Sequence, residues 1–400
     1  SLYRNQGNHT FVDIIQSSGA TDTRIAMGAI MFDYDNDRDL DIYLVHDNNQ
    51  ANILYENDGT GKFINVAHQA GVAHESFGMG VDVGDINNDG HLDIYITNLY
   101  ENTLLLNNGD KTFTEISDNA GVTDYGMGWG TGFYDVDNDG WQDIYVANTP
   151  NYPNIMYQNL GDNTFTPVSE NTVLSSSGSG FGVAGADIDH DGKIDLFVAN
   201  SNDKTGNQLF WNQSNSLNHW LEIKPEGVIS NRSGIGVRVI AKAGEKIFID
   251  ELNSGSGYAG QNSLIMHLGL GEITQLDTLK ILWPSGVTDV ILNVKTDQYL
   301  SIKEGSTGSQ GTSDPLPKGL TLAPNPFDTH LEISYWFQQK NTIDFTFTDL
   351  TGRVIAEEKH LHQEPGKYTL FMNTHALNPG IYMGILNIGG EKFYQKIIKK

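Results

Sequence analysis

Short runs of β-branched and aromatic residues recur along the first half of the chain, separated by polar turns. Four repeats each have one such run and, shortly after it, a second run flanked by two asparagines. A run beginning with Phe follows in the first three repeats, and a glycine-rich run such as 78–84 completes the unit. Four short strands per unit of about 50 residues predict the blades of a β-propeller. The first runs are 42–45, 94–96, 144–146 and 196–198, and the second runs are 52–57, 102–107, 154–159 and 207–212.

An aspartate-rich nonapeptide precedes the first run of every repeat, and these four segments are called the Asp loops. They are residues 33–41, 85–93, 135–143 and 187–195, and their starting points are 52, 50 and 52 residues apart. Oxygen ligands at positions 1, 3 and 5, a Gly at 6 and a carbonyl at 7 begin a calcium-binding EF-hand loop, because alternate side chains then converge on one point. An Asp at position 9 closes the loop here.

We therefore predict four metal sites, each with side-chain oxygens at positions 1, 3, 5 and 9 and a backbone carbonyl at position 7. Paired carboxylates repel by about 4 kcal/mol at an effective dielectric constant of 20, and a hard divalent cation removes that cost. An all-oxygen ligand set suits Ca²⁺ better than Zn²⁺ or Mg²⁺. The predicted ligands are Asp33, Asp35, Asp37, Asp39, Asp41, Asp85, Asn87, Asp89, His91, Asp93, Asp135, Asp137, Asp139, Trp141, Asp143, Asp187, Asp189, Asp191, Lys193 and Asp195, with Asp39, His91, Trp141 and Lys193 binding through their backbone carbonyls.

The competing interpretation is that Asp-Asn-Asp-Gly strings form turns without any metal. Four strings in register, each followed by a β-rich run, favour the metal sites. The first loop departs from the pattern because Arg38 stands where the others have Gly, and a non-Gly residue with positive φ is strained. Asn87 makes the second loop the least charged, so we expect its affinity to be lowest.

The repeats resemble FG-GAP or VCBS repeats, the calcium-binding blades of integrin-type β-propellers, over residues 1–216. The resemblance implies calcium in the loops and a ring of about seven blades, within the range of four to eight that propellers span. Residues 2–11 align with the middle of the later repeats. We therefore expect the chain to begin inside a repeat and to contain an incomplete propeller.

A different β-rich segment follows at 217–304. Its motifs at 219–223, 231–239, 255–258, 267–271 and 283–286 resemble the ASPIC/UnbV domain, which names a module without naming a reaction. Arg238 lies in an alternating strand of this segment, and we assign it a structural role.

The last part of the chain comprises a linker and a third module. Residues 305–319 have no hydrophobic period and predict a flexible linker. Motifs at 322–327, 347–355, 377–383 and 392–400 resemble the C-terminal sorting domain of the type IX secretion system, over 320–400. The resemblance implies a Bacteroidota-type bacterium, the type IX machinery as a partner, and export to the cell surface or medium. Alternation over 342–348 and a turn at Gly352 predict a small β-sandwich, whose competing interpretation is a carbohydrate-binding module.

Composition narrows the partners further. Residues 1–216 contain 31 acidic and 7 basic residues, so the acidity is local to the repeats and repels nucleic acids and anionic membranes. The chain has no cysteine, which excludes thiolate sites and disulfides. No apolar run approaches the roughly 18 residues of a transmembrane helix.

A search for catalytic motifs finds no His-Glu-x-x-His, Gly-x-Ser-x-Gly or phosphate loop, and we expect no enzyme. We predict an all-β protein with calcium-binding propeller blades, a small β-rich domain and a C-terminal β-sandwich. Its expected role is adhesion, or binding of an extracellular ligand such as a polysaccharide or surface protein. The alternative is an extracellular enzyme, or an accessory module of one, that acts on polysaccharide.

Overall fold

The computed structural model describes residues 1–6, 10–149, 152–168, 173–175, 179–201, 206–307, 319–323, 327–337, 341–349, 353–363, 366–375, 377–388 and 391–400. It divides into two compact units, Ser1–Gln310 and Gly311–Lys400. Strands dominate both units, and the described helices are single turns, so the all-β prediction is confirmed. The division falls within the predicted linker 305–319, of which 308–318 lie outside the described residues. The domain limits 1–216, 217–304 and 320–400 stay predictions.

Four antiparallel sheets form the repeat region, and their strands follow one another in chain order. The blades are β3 (Ala26–Phe32), β4 (Asp41–His46), β6 (Ile53–Asn57) and β7 (Phe63–Asn65); β9 (Gly78–Gly84), β10 (Asp93–Asn98), β11 (Thr103–Asn107) and β12 (Phe113–Glu115); β13 (Gly128–Tyr134), β14 (Asp143–Asn148), β15 (Ile155–Asn159) and β16 (Phe165–Pro167); and β17 (Gly180–Ala186), β18 (Asp195–Asn200) and β19 (Gln208–Phe210). The smaller elements are β1 (Tyr3–Asn5), β2 (Phe11–Asp13), β5 (Gln50–Ala51), β8 (Glu75–Ser76), the single turns α1 (Ile15–Ser18), α2 (Ala67–Ala70) and α3 (Ser117–Ala120), and a 3₁₀ turn at Val173–Ser175.

The first strands of successive blades pack side by side: β3 against β9, β9 against β13, and β13 against β17. Their glycine-rich sequences permit this close approach. A Cβ atom on Gly80 would lie 2.3 Å from the carbonyl oxygen of Trp129, and one on Gly130 would lie 2.8 Å from that of Phe181. The blades therefore form a propeller-like array, and the described residues do not close it into a ring.

The hydrophobic core of this region lies between consecutive blades. Tyr43, Tyr95 and Tyr145, at the same place in the second strand of three blades, are fully buried. The hydroxyls of Tyr43 and Tyr95 donate to backbone carbonyls at 2.9 Å. Burying a large side chain of this kind stabilises by roughly 1.5–3 kcal/mol. Phe197 takes this place in the fourth blade and is 40% exposed, because none of the described residues adds another blade over it.

The remainder of the first unit is a sandwich of two sheets around its own core. One sheet has the order β23–β20–β26 and the other β22–β21–β24–β25. The strands are β20 (His219–Glu226), β21 (Arg238–Ala243), β22 (Lys246–Glu251), β23 (Met266–Gly271), β24 (Gln275–Leu282), β25 (Thr288–Lys295) and β26 (Gln298–Lys303).

The connection between β22 and β23 lies along the first strands of the blades. Gly257 and Val81 exchange backbone hydrogen bonds of 2.7 and 3.2 Å, and the Ser263 N–H donates to the Gly185 carbonyl at 3.1 Å. The Tyr258 ring packs edge-on against Trp129 at 4.7 Å. This segment therefore binds at least three blades to the sandwich.

The second unit is a separate sandwich with the orders β27–β28–β31 and β30–β29–β32–β33. Ile343, Phe345 and Phe347 are buried in its core, so the alternation predicted for 342–348 is confirmed. Gly352 lies outside the described residues. The strands are β27 (Gly319–Ala323), β28 (His330–Phe337), β29 (Asn341–Asp349), β30 (Val354–Gln363), β31 (Gly366–Asn373), β32 (Gly380–Ile388) and β33 (Glu391–Lys399).

Candidate metal centre

Each Asp loop joins the first strand of a blade to the second. The loop begins directly after β3, β9, β13 or β17, and its ninth residue is the first residue of β4, β10, β14 or β18. Because the two strands pair in an antiparallel hairpin, positions 1 and 9 are brought to the same end of the blade. All four loops therefore lie at one end of the array.

Backbone N–H groups hold the two end carboxylates in the same way in every loop. In the third loop, Asp135 accepts hydrogen bonds from the N–H groups of positions 5 and 6 at 3.1 and 2.7 Å. Asp143 accepts from Val136 at 3.2 Å and from Asn159 on the third strand at 2.9 Å. The equivalent contacts recur in the first, second and fourth loops. The sequence repeat is thus a repeat of hydrogen-bond geometry.

Two positions per loop adopt the left-handed backbone conformation. Position 6 has a φ of 84–93° where it is Gly, and Arg38 has a φ of 79°, so Arg38 adopts the conformation that its alignment with Gly predicts. Position 4 also has positive φ, between 56 and 64°, at Asn36, Asn88, Asn138 and His190. Asn tolerates this region better than most residues do.

The structure brings three predicted ligand trios together. In each trio, one ligand atom per residue lies within 4.8 Å of the others. Asn87 carries an amide in place of a carboxylate, and its side-chain NH₂ donates to Asp89 at 2.9 Å, so the second loop is the least charged, as expected. The trios are Asp33, Asp35 and Asp37; Asp135, Asp137 and Asp143; and Asp187, Asp189 and Asp195. At position 7 the N–H bonds the position 5 carboxylate in each loop, and the carbonyl ligands stay a prediction.

Burial raises the pKa of several carboxylates at positions 1 and 9. Burial, followed by repulsion from neighbouring carboxylates, raises the pKa of Asp135 well above its ordinary value. Burial also raises the pKa of Asp143 well above its ordinary value, although N–H donors act against it. Burial raises the pKa of Asp41 to about 8 and that of Asp85 to about 6. A bound divalent cation would offset the cost of ionising these carboxylates, so the buried all-oxygen donor set fits Ca²⁺.

Neighbouring loops are linked by a contact that the sequence pattern did not reveal. The position 4 amide of each Asn-bearing loop donates to the position 6 carbonyl of the next loop: Asn36 to Gly90, Asn88 to Gly140 and Asn138 to Gly192, at 2.8–3.1 Å. The sequence signal for this contact is the Asn that the first three loops share at position 4. It was visible in the repeat, but its partner lies on another blade.

The sandwich covers the loop-bearing end of the blades. The Arg238 guanidinium reaches the Asp33 carboxylate at 3.3 Å and the Gly90 carbonyl at 3.4 Å. The Gly271 N–H donates to the Asn138 carbonyl at 2.8 Å, and a Cβ on Gly192 would collide with the Trp220 ring. All four Asp loops therefore contact the sandwich. The contacting residues are Asp33 in the first loop, Gly90 in the second, Asn138 in the third and Gly192 in the fourth.

Family models match three parts of the chain. The model described as FG-GAP-like repeat matches residues 33–96, 88–146 and 135–198. The model described as ASPIC and UnbV matches 227–309, and the secretion system C-terminal sorting domain matches 321–400. The chain therefore carries FG-GAP repeats, an ASPIC/UnbV domain and a type IX sorting domain. It is a secreted protein of the cell surface or extracellular space of a Bacteroidota-type bacterium, as its sorting domain implies.

The chain is also similar to cartilage acidic protein 1. It is 26% identical to the Homo sapiens protein over 277 residues, covering 64% of this chain and 40% of the relative. The Mus musculus protein is 24% identical over 277 residues, with coverage of 64% and 41%. The chain thus spans about two fifths of the length of these relatives. Among solved structures, an Agrocybe aegerita lectin described as recognising non-reducing terminal N-acetylglucosamine has 15% identity and a TM-score of 0.32, covering 91% of this chain and 89% of that one.

Among the described residues, no helix is both long and apolar enough to cross a membrane.

Proposed function

We propose that the repeat region is a calcium-stabilised binding module of a secreted surface protein. The observation that carries the proposal is the same carboxylate arrangement in four loops, held by the same backbone donors. Carboxylates without imidazole or thiolate ligands suit a hard cation that accepts six to eight oxygens. The ions would be bound by the predicted ligands of the four Asp loops.

The position of the loops supports a structural role for calcium. Each loop closes a hairpin and lies under the sandwich, and each of the three loops with Asn at position 4 bonds to the next loop. A cation that neutralises the loop carboxylates would strengthen all three kinds of contact at once. We therefore infer that calcium joins blade to blade and blades to sandwich.

The opposite end of the blades is a candidate ligand surface. The connections between second and third strands emerge there, as does the segment before β13. Tyr100, Tyr125 and Tyr152 are exposed on these connections, Tyr125 by 68%. Exposed aromatic rings with a polar hydroxyl are suited to contact with sugars and with protein surfaces.

A cavity of about 520 Å³ adjoins Tyr125. It is lined by Tyr125, Thr123, Asp124, Pro153 and Asn154, among others. An aromatic wall with a few hydroxyl, carboxylate and amide groups is a common arrangement for orienting a polar ligand. We propose that this cavity binds a glycan, and that the protein binds its ligand without transforming it.

The test is a glycan array probed with the full chain, with calcium and with EDTA. We expect calcium-dependent binding that Tyr125→Ala abolishes and Tyr3→Ala, an exposed tyrosine elsewhere, leaves unchanged. Equal binding by the two variants would contradict the assigned surface. Depolymerisation of a retained polysaccharide would favour the alternative of an enzyme or its accessory module.

A further inference from the structure

The fourth Asp loop departs from the others where it meets the sandwich. His190 occupies position 4, at which the other three loops have Asn. The neighbouring strand β20 directs Glu222 toward this loop. Ligand atoms of Asp187, His190 and Glu222 all lie within 4.8 Å of one another. The fourth loop therefore has an imidazole of its own and a carboxylate that comes from the sandwich. The ligand positions of the other three loops offer only oxygen atoms.

Glu222 is unusual because it is an acidic residue enclosed at this interface. It is 3% exposed, and Asp187 is 7% exposed. Two buried carboxylates that face each other are unfavourable unless a positive charge lies between them. The position 1 carboxylate of the first loop has such a partner in Arg238. In the fourth loop, the group next to the position 1 carboxylate is a second carboxylate, that of Glu222.

The buried imidazole of His267, next to Glu222, indicates which kind of positive charge this site would hold. The His267 side chain is only 6% exposed, and its Nε2 lies 2.7 Å from the side-chain oxygen of Asn138. The Asn138 NH₂ donates to the Gly192 carbonyl, which fixes the amide orientation. Nε2 therefore donates its hydrogen to the Asn138 side-chain oxygen, and Nδ1 is the nitrogen that faces away from Asn138.

The Nδ1 atom of His267 has no hydrogen-bond partner and lies 3.9 Å from Glu222 Oε1. A buried nitrogen without a hydrogen-bond partner thus faces a buried carboxylate. A separation of 3.9 Å is too long for a hydrogen bond, for which about 2.7–3.2 Å is usual. Two donors of a tetrahedral Zn²⁺, each about 2.1 Å from the metal, lie about 3.4 Å apart, so a shift of about 0.5 Å would bring these two atoms to that separation.

We propose that a transition-metal cation of the zinc class binds here, with Asp187, His190 and Glu222 as its ligands. The His267 imidazole lies next to Glu222. Mixed imidazole and carboxylate donors favour Zn²⁺ over Ca²⁺. Asp187 also belongs to the trio with Asp189 and Asp195, so its carboxylate would bridge this cation and the ion of the fourth Asp loop. The metal would fasten the sandwich to the last described blade.

The test is a Zn²⁺ titration of the untagged full chain, stripped of metals and then saturated with Ca²⁺. We expect one equivalent of Zn²⁺ to bind, and at least a tenfold loss of affinity in both Glu222→Gln and His190→Ala. His68→Ala, which removes an exposed imidazole on α2, is the matched control and should bind like the unchanged protein. His190 is exposed, so its substitution should not prevent folding.

Co²⁺ provides a second reading on the same variants. Its visible absorption should show bound imidazole in the unchanged protein and in His68→Ala, and should be lost in His190→Ala. A Ca²⁺ titration of His190→Ala should match the unchanged protein, which separates this site from the calcium proposal. The assignment would be overturned if the calcium-saturated protein bound no Zn²⁺, or if Glu222→Gln and His190→Ala bound Zn²⁺ as tightly as the unchanged protein does.

Discussion

The Arg238 guanidinium contacts the Asp33 carboxylate at 3.3 Å across 205 residues of sequence. Arg238 also lies 3.9 Å from Glu251, whose carboxylate accepts the Asp33 N–H at 3.2 Å. Burial raises the pKa of Glu251 to about 8 and that of Asp33 above its ordinary value, although Arg238 acts in the opposite direction at both. The first Asp loop is therefore the one whose position 1 ligand already has a cationic partner.

The same loop has a second cation. Lys111 from the next blade forms an ion pair with Asp35 at 2.5 Å and with Glu56 at 3.1 Å. Lys111→Met should tighten calcium binding at the first loop by about two- to fivefold, since a partly exposed ion pair contributes up to about 1 kcal/mol. Calcium calorimetry would measure this, with Lys62→Met as an exposed control. Weaker binding in Lys111→Met would mean that the lysine supports the site.

Asp135→Ala should remove one bound calcium ion. The variant loses a position 1 ligand and leaves the N–H groups of Asp139 and Gly140 without their acceptor. In saturating calcium we expect a loss of about 3 kcal/mol or more, which combines one site at a hundredfold excess over Kd with two orphaned donors. Ion stoichiometry and denaturant unfolding would test this. Asp162→Asn, in an exposed turn, should change neither quantity.

Stability should fall as pH rises, because of two acids outside the Asp loops, the buried Asp82 and the partly buried Asp250. Burial raises the pKa of both Asp82 and Asp250 from 3.8 to about 7, so the folded state binds more protons than the unfolded state between these values. The calcium-saturated protein should therefore lose stability from about pH 4 to pH 7 through these groups. Asp250→Asn should flatten the dependence and raise the melting temperature most at pH 8. An unaltered pH profile in that variant would contradict the assignment.

Substitutions of two glycines can distinguish the cost of backbone strain from the cost of lost packing between the blades and the sandwich. Gly257 has a φ of 61°, and a Cβ there would lie 2.5 Å from the Thr131 carbonyl oxygen. Gly244 has a φ of 59° and open space around it. Gly244→Ala should cost about 1–2 kcal/mol from the left-handed backbone alone. Gly257→Ala should cost clearly more in the same unfolding experiment, because it also displaces the segment from the blades. Equal losses would mean that this contact contributes little.

The sequence was sufficient to predict which residues come together within one Asp loop. Ligand spacing placed Asp135, Asp137 and Asp143 on one centre because position 1 and position 9 close a hairpin. The sequence did not reveal the contacts of Arg238, Lys111 and Glu222 with the loops, because these depend on how the sandwich and neighbouring blades pack. Phe197 shows the same limit: the sequence predicts a strand at 196–198, and the exposure of the Phe197 side chain depends on what packs beside the fourth blade.

Calcium binding by the Asp loops can be tested directly by thermal unfolding of the full chain after exhaustive chelation, followed by stepwise addition of calcium. Each occupied site should stabilise the fold by about 2.7 kcal/mol at a hundredfold excess over Kd. We expect a marked fall in melting temperature in EDTA that calcium restores, and a smaller response in Asp135→Ala. An identical melting temperature in EDTA and in saturating calcium would contradict calcium binding by the Asp loops.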